Sequence, residues 1–434
     1  MWTGSYKNTI CQWGIGHGGF FTQRVEFESY DRPLTGPKAR AGVLNMIYDC
    51  GASRSATPTK VLKASIDEYV NSLDNGERID LLVISHFDSD HVNGLDYLSS
   101  KLNSGHHPVD RVWAPILSPF ERLMVSVAFR AGGAVGGTYD RMLLDPAGYL
   151  GDLFPNAEID FLESSTDPIA LSRQTIDEEP AVDGRSVFTF SQGNPSPALI
   201  VKTNRKTIGS ELWEVRPYVL KSTTVAAASV RMRTERLIGK ALDKATPSDL
   251  ARILADTTLV QDFHDALWGH HTTFYKRGFK PSGSRTPPNL SSICIYSGPV
   301  NPYDWCRHRA GWGSGVHGWL SALPVAPSWL GTGDAGFRRP VHIKSMVDVL
   351  SVNRMDRIGI ASAPHHGSSH DSGPDFWNAL PNARVVTTES KYRIGGTGQH
   401  HPHSLVVDEL KVRQLHHHAA QEGVPFRWVD KRIR

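Results

Sequence analysis

Cysteine is scarce in this sequence, and its four residues are widely spaced. Cys11, Cys50, Cys294 and Cys306 form no CxxC pair, which excludes the dense disulfide framework of a small secreted domain. No run approaches the ~18 apolar residues that a membrane helix needs. The first residues, MWTGSYKNTI, also lack the basic start and apolar core of a signal peptide. We therefore expect free thiols, no membrane segment and a cytoplasmic location.

An excess of charge of either sign is also missing. The 47 Lys and Arg residues are nearly balanced by 44 Asp and Glu residues, for a net charge of +3, which is too small to require a nucleic-acid partner. The chain has 434 residues, of which 39% are hydrophobic, enough to bury a core without disulfide staples. These values exclude disordered and fibrous classes and favour a globular protein of enzyme size.

Strand and helix patterns alternate along most of the chain. The pattern predicts strands at 8–13, 20–28, 43–48, 79–84, 292–296, 328–331, 357–361 and 384–388. It predicts helices at 57–73, 118–131, 225–244, 247–256, 259–269, 374–380 and 404–418. Because helices dominate residues 116–284, we expect a largely helical insertion or subdomain there, between the two parts of one catalytic domain at 1–115 and 285–434.

Four side chains of the metal-ligand type follow the strand at 79–84: His86, Asp88, Asp90 and His91. A tight loop at a strand end can direct such side chains towards one point, and imidazole together with carboxylate suits Zn, Mn or Fe. For this loop alone, turn composition is the weaker alternative explanation, because Asp and Ser are common turn residues.

Three further clusters make turn composition a poor explanation. Gly333-Asp334 follows the strand at 328–331, and His365-His366-Gly367-Ser368 follows the strand at 357–361. The third cluster, His400 to His403, directly precedes the helix expected at 404. Gly333 and Gly367 allow the backbone to turn so that the neighbouring ligands face inward. Four such clusters in strand-to-loop positions predict a metal site.

In these motifs the sequence resembles the metallo-β-lactamase superfamily, and within it the hydrolase domain of DNA-internalisation competence proteins of the ComEC type. That subgroup carries H-x-D-x-D-H-x-x-G, which is found here at 86–94. Its D-x-G turn, N-x-S strand, G-D turn, H-H-G-S loop and G-H-P-H-like loop are similar to residues 49–51, 289–291, 333–334, 365–368 and 401–403. The resemblance covers about 8–115 and 285–430 and implies a four-layer αββα sandwich, the metallo-β-lactamase fold.

Two features depart from the family pattern. The family's opening G-Q-G-D-A is here Gly16-His17-Gly18-Gly19-Phe20, so a polar residue is missing at Gly19 and His17 has no counterpart. The transmembrane channel of competence proteins has no equivalent in this sequence. The resemblance therefore implies the chemistry of the hydrolase domain and not a role in DNA uptake.

The resemblance also implies two divalent metal ions, Mn or Zn. It assigns His86 and Asp88 to the first ion, Asp90, His91 and His366 to the second, and Asp334 to both. His365 is a rival to His366, and Asn289 stands where many members of the superfamily have a ligand His. Carboxylate and amide oxygens favour Mn²⁺ by ligand softness and leave Zn²⁺ open.

Two metal ions of this kind suit hydrolysis of phosphodiesters, with nucleic acid or a nucleotide as the substrate. We expect a nuclease or a nucleotide phosphodiesterase in which Asp90 orients the water and His401 and His403 hold a phosphate oxygen or protonate the leaving group. The expected substrate contacts are Lys391, Arg393 and Ser368, although the two basic residues are equally well explained as ordinary loop charges.

Alternatives remain open at this point. The chain would otherwise be a hydrolase of small lactones, thioesters or β-lactams, or a non-catalytic binding or assembly module on the same fold. The basic and aromatic segment from Trp268 to Arg285 is suited to contacting nucleic acid, and packing explains it as well. The three histidines at 416–418 are expected on a solvated helix face.

Overall fold

The computed structural model describes residues 4–30, 38–53, 56–131, 138–163, 187–190, 198–202, 211–221, 228–262, 291–300, 306–307, 326–389 and 401–433. Its strands form two mixed sheets of eight strands each.

The first sheet combines an antiparallel half with a parallel half. Its strands are β1 Gly4–Gln12, β2 Phe20–Tyr30, β3 Lys38–Cys50, β4 Leu81–Val83, β5 Arg111–Pro115, β6 Glu158–Leu162, β11 Cys306–Arg307 and β16 Phe426–Ile433. In space they run β11-β16-β1-β2-β3-β4-β5-β6. Pairing is antiparallel from β11 to β3 and parallel from β3 to β6. β4 is buried along its whole length, as expected for a parallel strand covered on both faces.

The second sheet has the same division. Its strands are β7 Val187–Phe190, β8 Leu199–Lys202, β9 Glu211–Lys221, β10 Ser291–Pro299, β12 Ser328–Gly331, β13 Ile358–Ser362, β14 Val385–Glu389 and β15 His416–Ala420. In space they run β15-β14-β13-β12-β10-β9-β8-β7. Pairing is parallel from β15 to β12 and antiparallel from β12 to β7. Each sheet therefore places a parallel half beside an antiparallel half.

Helices connect the parallel strands, and among the described residues two more lie between the antiparallel strands β9 and β10. They are α1 Ala56–Asn71, α2 Ser89–Val92, α3 Leu95–Ser104, α4 Pro119–Ala131, α5 Thr138–Leu144, α6 Pro146–Leu153, α7 Ala228–Ile238, α8 Pro247–Ala255, α9 Pro340–Leu350, α10 Val352–Met355, α11 Pro374–Asn378 and α12 Ser404–Val412, with 3-10 turns at Leu242–Lys244 and Pro364–Gly367. In α1, Leu62, Ile66, Tyr69 and Val70 are buried at the spacing that puts them on one helix face.

The core has three layers of apolar side chains. The central layer joins the two sheets, and there Phe21 of β2 stacks on Trp329 of β12 with ring centroids 3.8 Å apart. A second layer lies between the first sheet and helices such as α1 and α3, and a third lies between the second sheet and helices such as α9 and α12. The order is helices, sheet, sheet, helices, so the expected αββα sandwich is confirmed.

Residues 116–284 contribute to both sheets as well as to helices. Strand β6 pairs with β5 of the first sheet, and β7 to β9 belong to the second. Helices α4, α7 and α8 and the turn at Leu242–Lys244 share a separate small apolar cluster. The division into a catalytic domain and an insertion stays a prediction, but strand pairing ties this range to the sandwich.

Two sequence-based expectations for local structure are corrected. The helix expected at 404–418 ends at Val412, and His416 to His418 lie in β15, which pairs in parallel with β14. The neighbouring strand supplies backbone partners there, and this outweighs the weak helical pattern of a histidine run. The helix expected at 225–244 ends at Ile238, before the 3-10 turn at Leu242–Lys244.

The cysteines fit the expectation of free thiols: Cys11, Cys50 and Cys294 are buried and unbridged. Among the described residues, no helix combines the length and the hydropathy needed to cross a membrane.

Candidate metal centre

The parallel strands of the two sheets end at one cluster of histidines and carboxylates. Asp49 lies at the end of β3, and His86, Asp90 and His91 follow β4. In the second sheet, Asp334 follows β12, His365 and His366 follow β13, and Glu389 ends β14. The fold therefore brings together residues that are up to 340 positions apart, counted from 49 to 389.

One group consists of His86, His91 and Asp334, all buried, whose ligand atoms lie within 4.8 Å of one another. His86 Nε2 is 3.6 Å from Asp334 Oδ2, and His91 Nε2 is 3.4 Å from Asp334 Oδ1. Two imidazoles and one carboxylate at such spacing can hold a divalent ion.

A second group consists of His17, Asp90 and His366, with ligand atoms again within 4.8 Å of one another. Asp90 Oδ2 is 3.2 Å from His17 Nε2 and 3.7 Å from His366 Nε2. Asp334 joins the two groups, because its Oδ1 is also 3.4 Å from His366 Nε2. A carboxylate in this position can serve ions in both groups.

The outer nitrogens of four of these histidines are held by oxygen partners. His91 Nδ1 donates to Asp49 Oδ2 at 2.9 Å, His366 Nδ1 to Glu389 Oε2 at 3.2 Å and His365 Nδ1 to Asp371 Oδ2 at 2.6 Å. Ser85 Oγ donates to Asp49 Oδ2 at 2.7 Å, so it accepts from His86 Nδ1 at 2.9 Å. Such partners fix the tautomer and orientation of metal-binding histidines, leaving the Nε2 lone pair free to bind.

Several buried nitrogen and oxygen atoms of the cluster lack a suitable hydrogen-bond partner. His86 Nε2 and Asp334 Oδ1 are buried without a hydrogen-bond donor or acceptor among the described residues. His91 Nε2 and His366 Nε2 are 3.4 Å apart, and in the neutral rings, whose Nδ1 atoms donate, both are acceptors. Unpaired buried polar atoms are costly, and a metal ion would satisfy all four. The residues present therefore fit a metal centre.

The pKa values of three histidines in the cluster are also consistent with metal binding. Burial and the neighbouring His366 lower the pKa of His17 to about 3, and burial with His91 lowers the pKa of His86 to about 4. Both imidazoles are therefore neutral, the form that binds metal. Burial also lowers the pKa of His365, but Asp334 and Asp371 outweigh it and raise the pKa to about 9. The carboxylates thus favour positive charge at the centre.

The backbone at the cluster adopts rare conformations. Asp49, His365 and His366 have φ values of 59°, 48° and 55°, in the left-handed region that non-glycine residues seldom occupy. Gly333 and Gly367, expected as turn residues, have φ values of 50° and 86°. A Cβ at Gly333 would lie 2.8 Å from Ser292 Oγ and from Ser85 Cβ. Close packing of the two sheets at this edge therefore requires glycine there.

His401, which was expected at the site, lies at the rim of the cluster. The ring of His401 is 5.5 Å from that of His365 and 6.0 Å from that of His17. Burial and the nearby His366 and His365 lower the pKa of His401 to about 4.

Asp88 caps α2, accepting the Ser89 N–H at 2.7 Å. Burial and then Asp90 raise the pKa of Asp88 to about 7. Asp88 is in neither ligand group.

His403 and Ser368 make local contacts. The exposed His403 caps α12, where its Nδ1 accepts the Leu405 N–H at 3.2 Å. Ser368 is buried, and its Oγ accepts the His370 N–H at 3.2 Å. Their expected catalytic and substrate-binding roles stay predictions.

Four expectations lie outside the described residues. They concern Asn289 as a ligand, Lys391 and Arg393 as substrate contacts, and the segment from Trp268 to Arg285 as a nucleic-acid contact.

Sequence reasoning left three residues of the cluster without a role: His17, Asp371 and Glu389. Asp371 and Glu389 act at a distance from the centre by holding His365 and His366. Glu389 had one signal, since like Asp334 it stands at the end of a strand of the second sheet. Asp371 had none, because its loop carries no motif.

No protein-family model matches the chain, and no curated protein is similar to it. Among solved structures, the metallo-beta-lactamase fold protein YhfI from Bacillus subtilis matches with 9% sequence identity and a TM-score of 0.36, over 98% of this chain and 99% of that chain. The architecture given above therefore depends on this chain's own sheets and helices.

Proposed function

We propose that this protein is a dinuclear metal-dependent hydrolase of phosphodiesters, either a nuclease or a nucleotide phosphodiesterase. One observation carries the proposal: two groups of ligand atoms converge at the strand ends, and Asp334 of one group lies 3.4 Å from His366 of the other. Two divalent ions, Mn or Zn, would supply an acidified water and stabilise charge on the attacking and leaving oxygens of a phosphodiester.

The protein's own residues would orient and hold the reactants. Asp90 is flanked by His17 and His366, which fixes its carboxylate where it can accept a proton from a bound water. His401 stacks beside His365 at the rim of the cluster and is half-buried, so it can reach a substrate oxygen. With a lowered pKa, His401 is a neutral hydrogen-bonding group rather than a fixed cation.

The choice of phosphodiesters over other substrates comes from the sequence. The loop at 86–91 offers two aspartates where most of the superfamily offers a histidine and an aspartate, and the H-H-G-S loop at 365–368 accompanies it. Both features resemble the hydrolase domain of the competence proteins and not the members that act on lactones, thioesters or β-lactams. The carboxylate and amide oxygens of the ligand set expected from the sequence also favour Mn²⁺, whereas each group in the structure has two imidazoles and one carboxylate.

The test combines metal content with hydrolysis of a generic reporter, bis-(p-nitrophenyl) phosphate. Protein purified with ample metal should hold about two equivalents of Mn, Zn or Fe and cleave the reporter. Asp90→Ala should reduce cleavage to under about a tenth, because loss of a ligand and of the oriented water costs several kcal/mol of transition-state stabilisation. Asp334→Ala should remove the most metal, because Asp334 faces both groups.

Asp348→Ala is the matched control, since Asp348 is exposed and pairs with Lys344 one helical turn away. Circular dichroism and a melting curve establish that each variant is folded. Less than half an equivalent of metal in the wild type, or full cleavage by folded Asp90→Ala, would contradict the proposal.

A further inference from the structure

His17 lies in a glycine-rich turn whose backbone is tied to the candidate centre on both sides. Ser53 N–H donates to His17 O at 2.7 Å, and Gly19 N–H donates to Asp90 O at 3.0 Å. Gly51 N–H in turn donates to Gly19 O at 2.8 Å. These bonds hold the turn between β1 and β2 against the end of β3 and the loop that carries Asp90, so the position of His17 is fixed by backbone contacts.

The side chain of His17 reaches the centre. Its Nε2 is 3.2 Å from Asp90 Oδ2, and its ring centroid is 4.2 Å from that of His366. His17 is the only residue of the four at 16–19 with a side chain, because the other three are glycines. Any side-chain ligand atom that this turn offers to the centre must therefore come from position 17.

Close packing explains why a side chain at position 19 cannot supply a metal ligand instead. A Cβ at Gly19 would lie 2.7 Å from His91 Nδ1 and 3.0 Å from Asp49 Oδ2. These two atoms form the hydrogen bond that orients His91. A side chain at 19 would break this bond, whereas the side chain at 17 approaches on the Asp90 side without contacting it.

We propose that His17 is a metal ligand, and that it completes one of the two sites together with Asp90 and His366. His86, His91 and Asp334 then form the other site, so His91 belongs with His86 rather than with Asp90. This inference rests on the proposed metal centre and names a ligand that the sequence motifs do not include. Three ligands from three separate loops hold this site, with Asp334 linking it to its neighbour.

The test measures metal stoichiometry and affinity in the full-length protein, with Zn²⁺ and Mn²⁺ as probes. We expect the wild type to bind two equivalents, and His17→Ala to bind one tightly and the second at least about tenfold more weakly, since even partners of metal ligands contribute ten- to a hundredfold. Free imidazole added to His17→Ala should restore part of the lost affinity, which a purely structural role of His17 would not allow. His106→Asn is the matched control, because His106 is exposed and in the left-handed conformation that Asn tolerates.

The outcomes separate this inference from the proposed function. Two equivalents bound with unchanged affinity by folded His17→Ala would overturn the assignment of His17 and leave the metal centre standing. Under half an equivalent in the wild type would overturn both. If the alanine variant does not fold, His17→Gln fills a similar volume, and unchanged affinity for the second ion in that variant would equally overturn the assignment.

Discussion

At the scale of single residues, neighbouring groups compensate for the lost water at two of the buried carboxylates. Asp334 is 4% exposed and faces histidines on two sides. Glu214, 2% exposed, accepts from Arg354 at 2.8 Å and 2.9 Å. Asp80 differs: it is buried and accepts the Asn45 N–H at 2.6 Å, but burial and the nearby Asp110 raise its pKa well above the usual value.

Replacing Asp80 with Asn should therefore stabilise the protein at neutral pH. The amide keeps an oxygen for the Asn45 N–H and carries no charge to bury. Below about pH 4 the carboxyl is protonated in both the folded and the unfolded chain, so it costs nothing. As the pH rises, the unfolded chain releases the proton first, and the stability due to Asp80 falls.

We expect Asp80→Asn to raise the free energy of unfolding by roughly 1 kcal/mol at pH 7, with a smaller gain near pH 4. Urea denaturation at the two pH values measures the difference. Asp348→Asn, at an exposed site, should change neither value. A gain that is the same at both pH values would show that the buried charge is not its cause.

At the scale of secondary-structure elements, strand ends determine where the ligands stand. Strand β14 ends at Glu389, whose Oε2 accepts from His366 Nδ1 and whose Oε1 accepts from Gln12 Nε2 at the end of β1. One carboxylate thus connects the first sheet to a candidate ligand of the second sheet. The end of β14 acts on the centre through His366, so Glu389 is a positioning residue.

We expect Glu389→Gln to weaken metal binding by roughly 10- to 100-fold, because the amide orients His366 less well and removes a negative charge that favours the bound ion. A chelator competition measures this affinity. Glu409→Gln, which alters the ion pair between this residue of α12 and Arg413, should bind metal as the wild type does.

A melting curve in excess EDTA distinguishes a role of Glu389 in positioning His366 from a role in stabilising the fold. Glu389→Gln should melt within a few degrees of the wild type there, since the substitution keeps the size of the side chain. A large drop in EDTA with unchanged metal affinity would mean that Glu389 stabilises the fold instead.

At the scale of the whole molecule, the site exists because the two sheets pack face to face. Trp329 is 1% exposed in β12, five residues before Asp334. Its ring stacks on Phe21 of the first sheet and meets Tyr48 edge-on at 5.6 Å. Apolar packing between the sheets therefore lies directly beneath the candidate centre.

Trp329→Ala should lower the free energy of unfolding by about 3–5 kcal/mol, the usual cost of removing a large buried ring. Trp329→Phe should cost less than half as much, because a ring remains against Phe21 and the buried Nε1, which has no hydrogen-bond partner among the described residues, is removed. Chemical denaturation of both variants gives the comparison. Equal losses would mean that stacking on Phe21 contributes little.

The sequence by itself predicted the residue types of the centre, and its resemblance to the metallo-β-lactamase superfamily implied the αββα architecture. Strand periodicity and strand-end motifs are local features, so the loops carrying His86, Asp90, Asp334 and His366 were identified without coordinates. The sequence could not determine which ligands share a site, because grouping depends on distances between loops on different strands and sheets.

Only the tertiary structure decided which residues lie next to the candidate ligands and how the histidine run at 416–418 is paired. It placed His17 beside Asp90, Glu389 and Asp371 behind the histidines, and the run at 416–418 in a strand instead of a helix. Each of these outcomes follows from a contact between segments that are distant in the chain or from pairing with a neighbouring strand. Local periodicity carries no information about such contacts, because they are set by how the sheets pack.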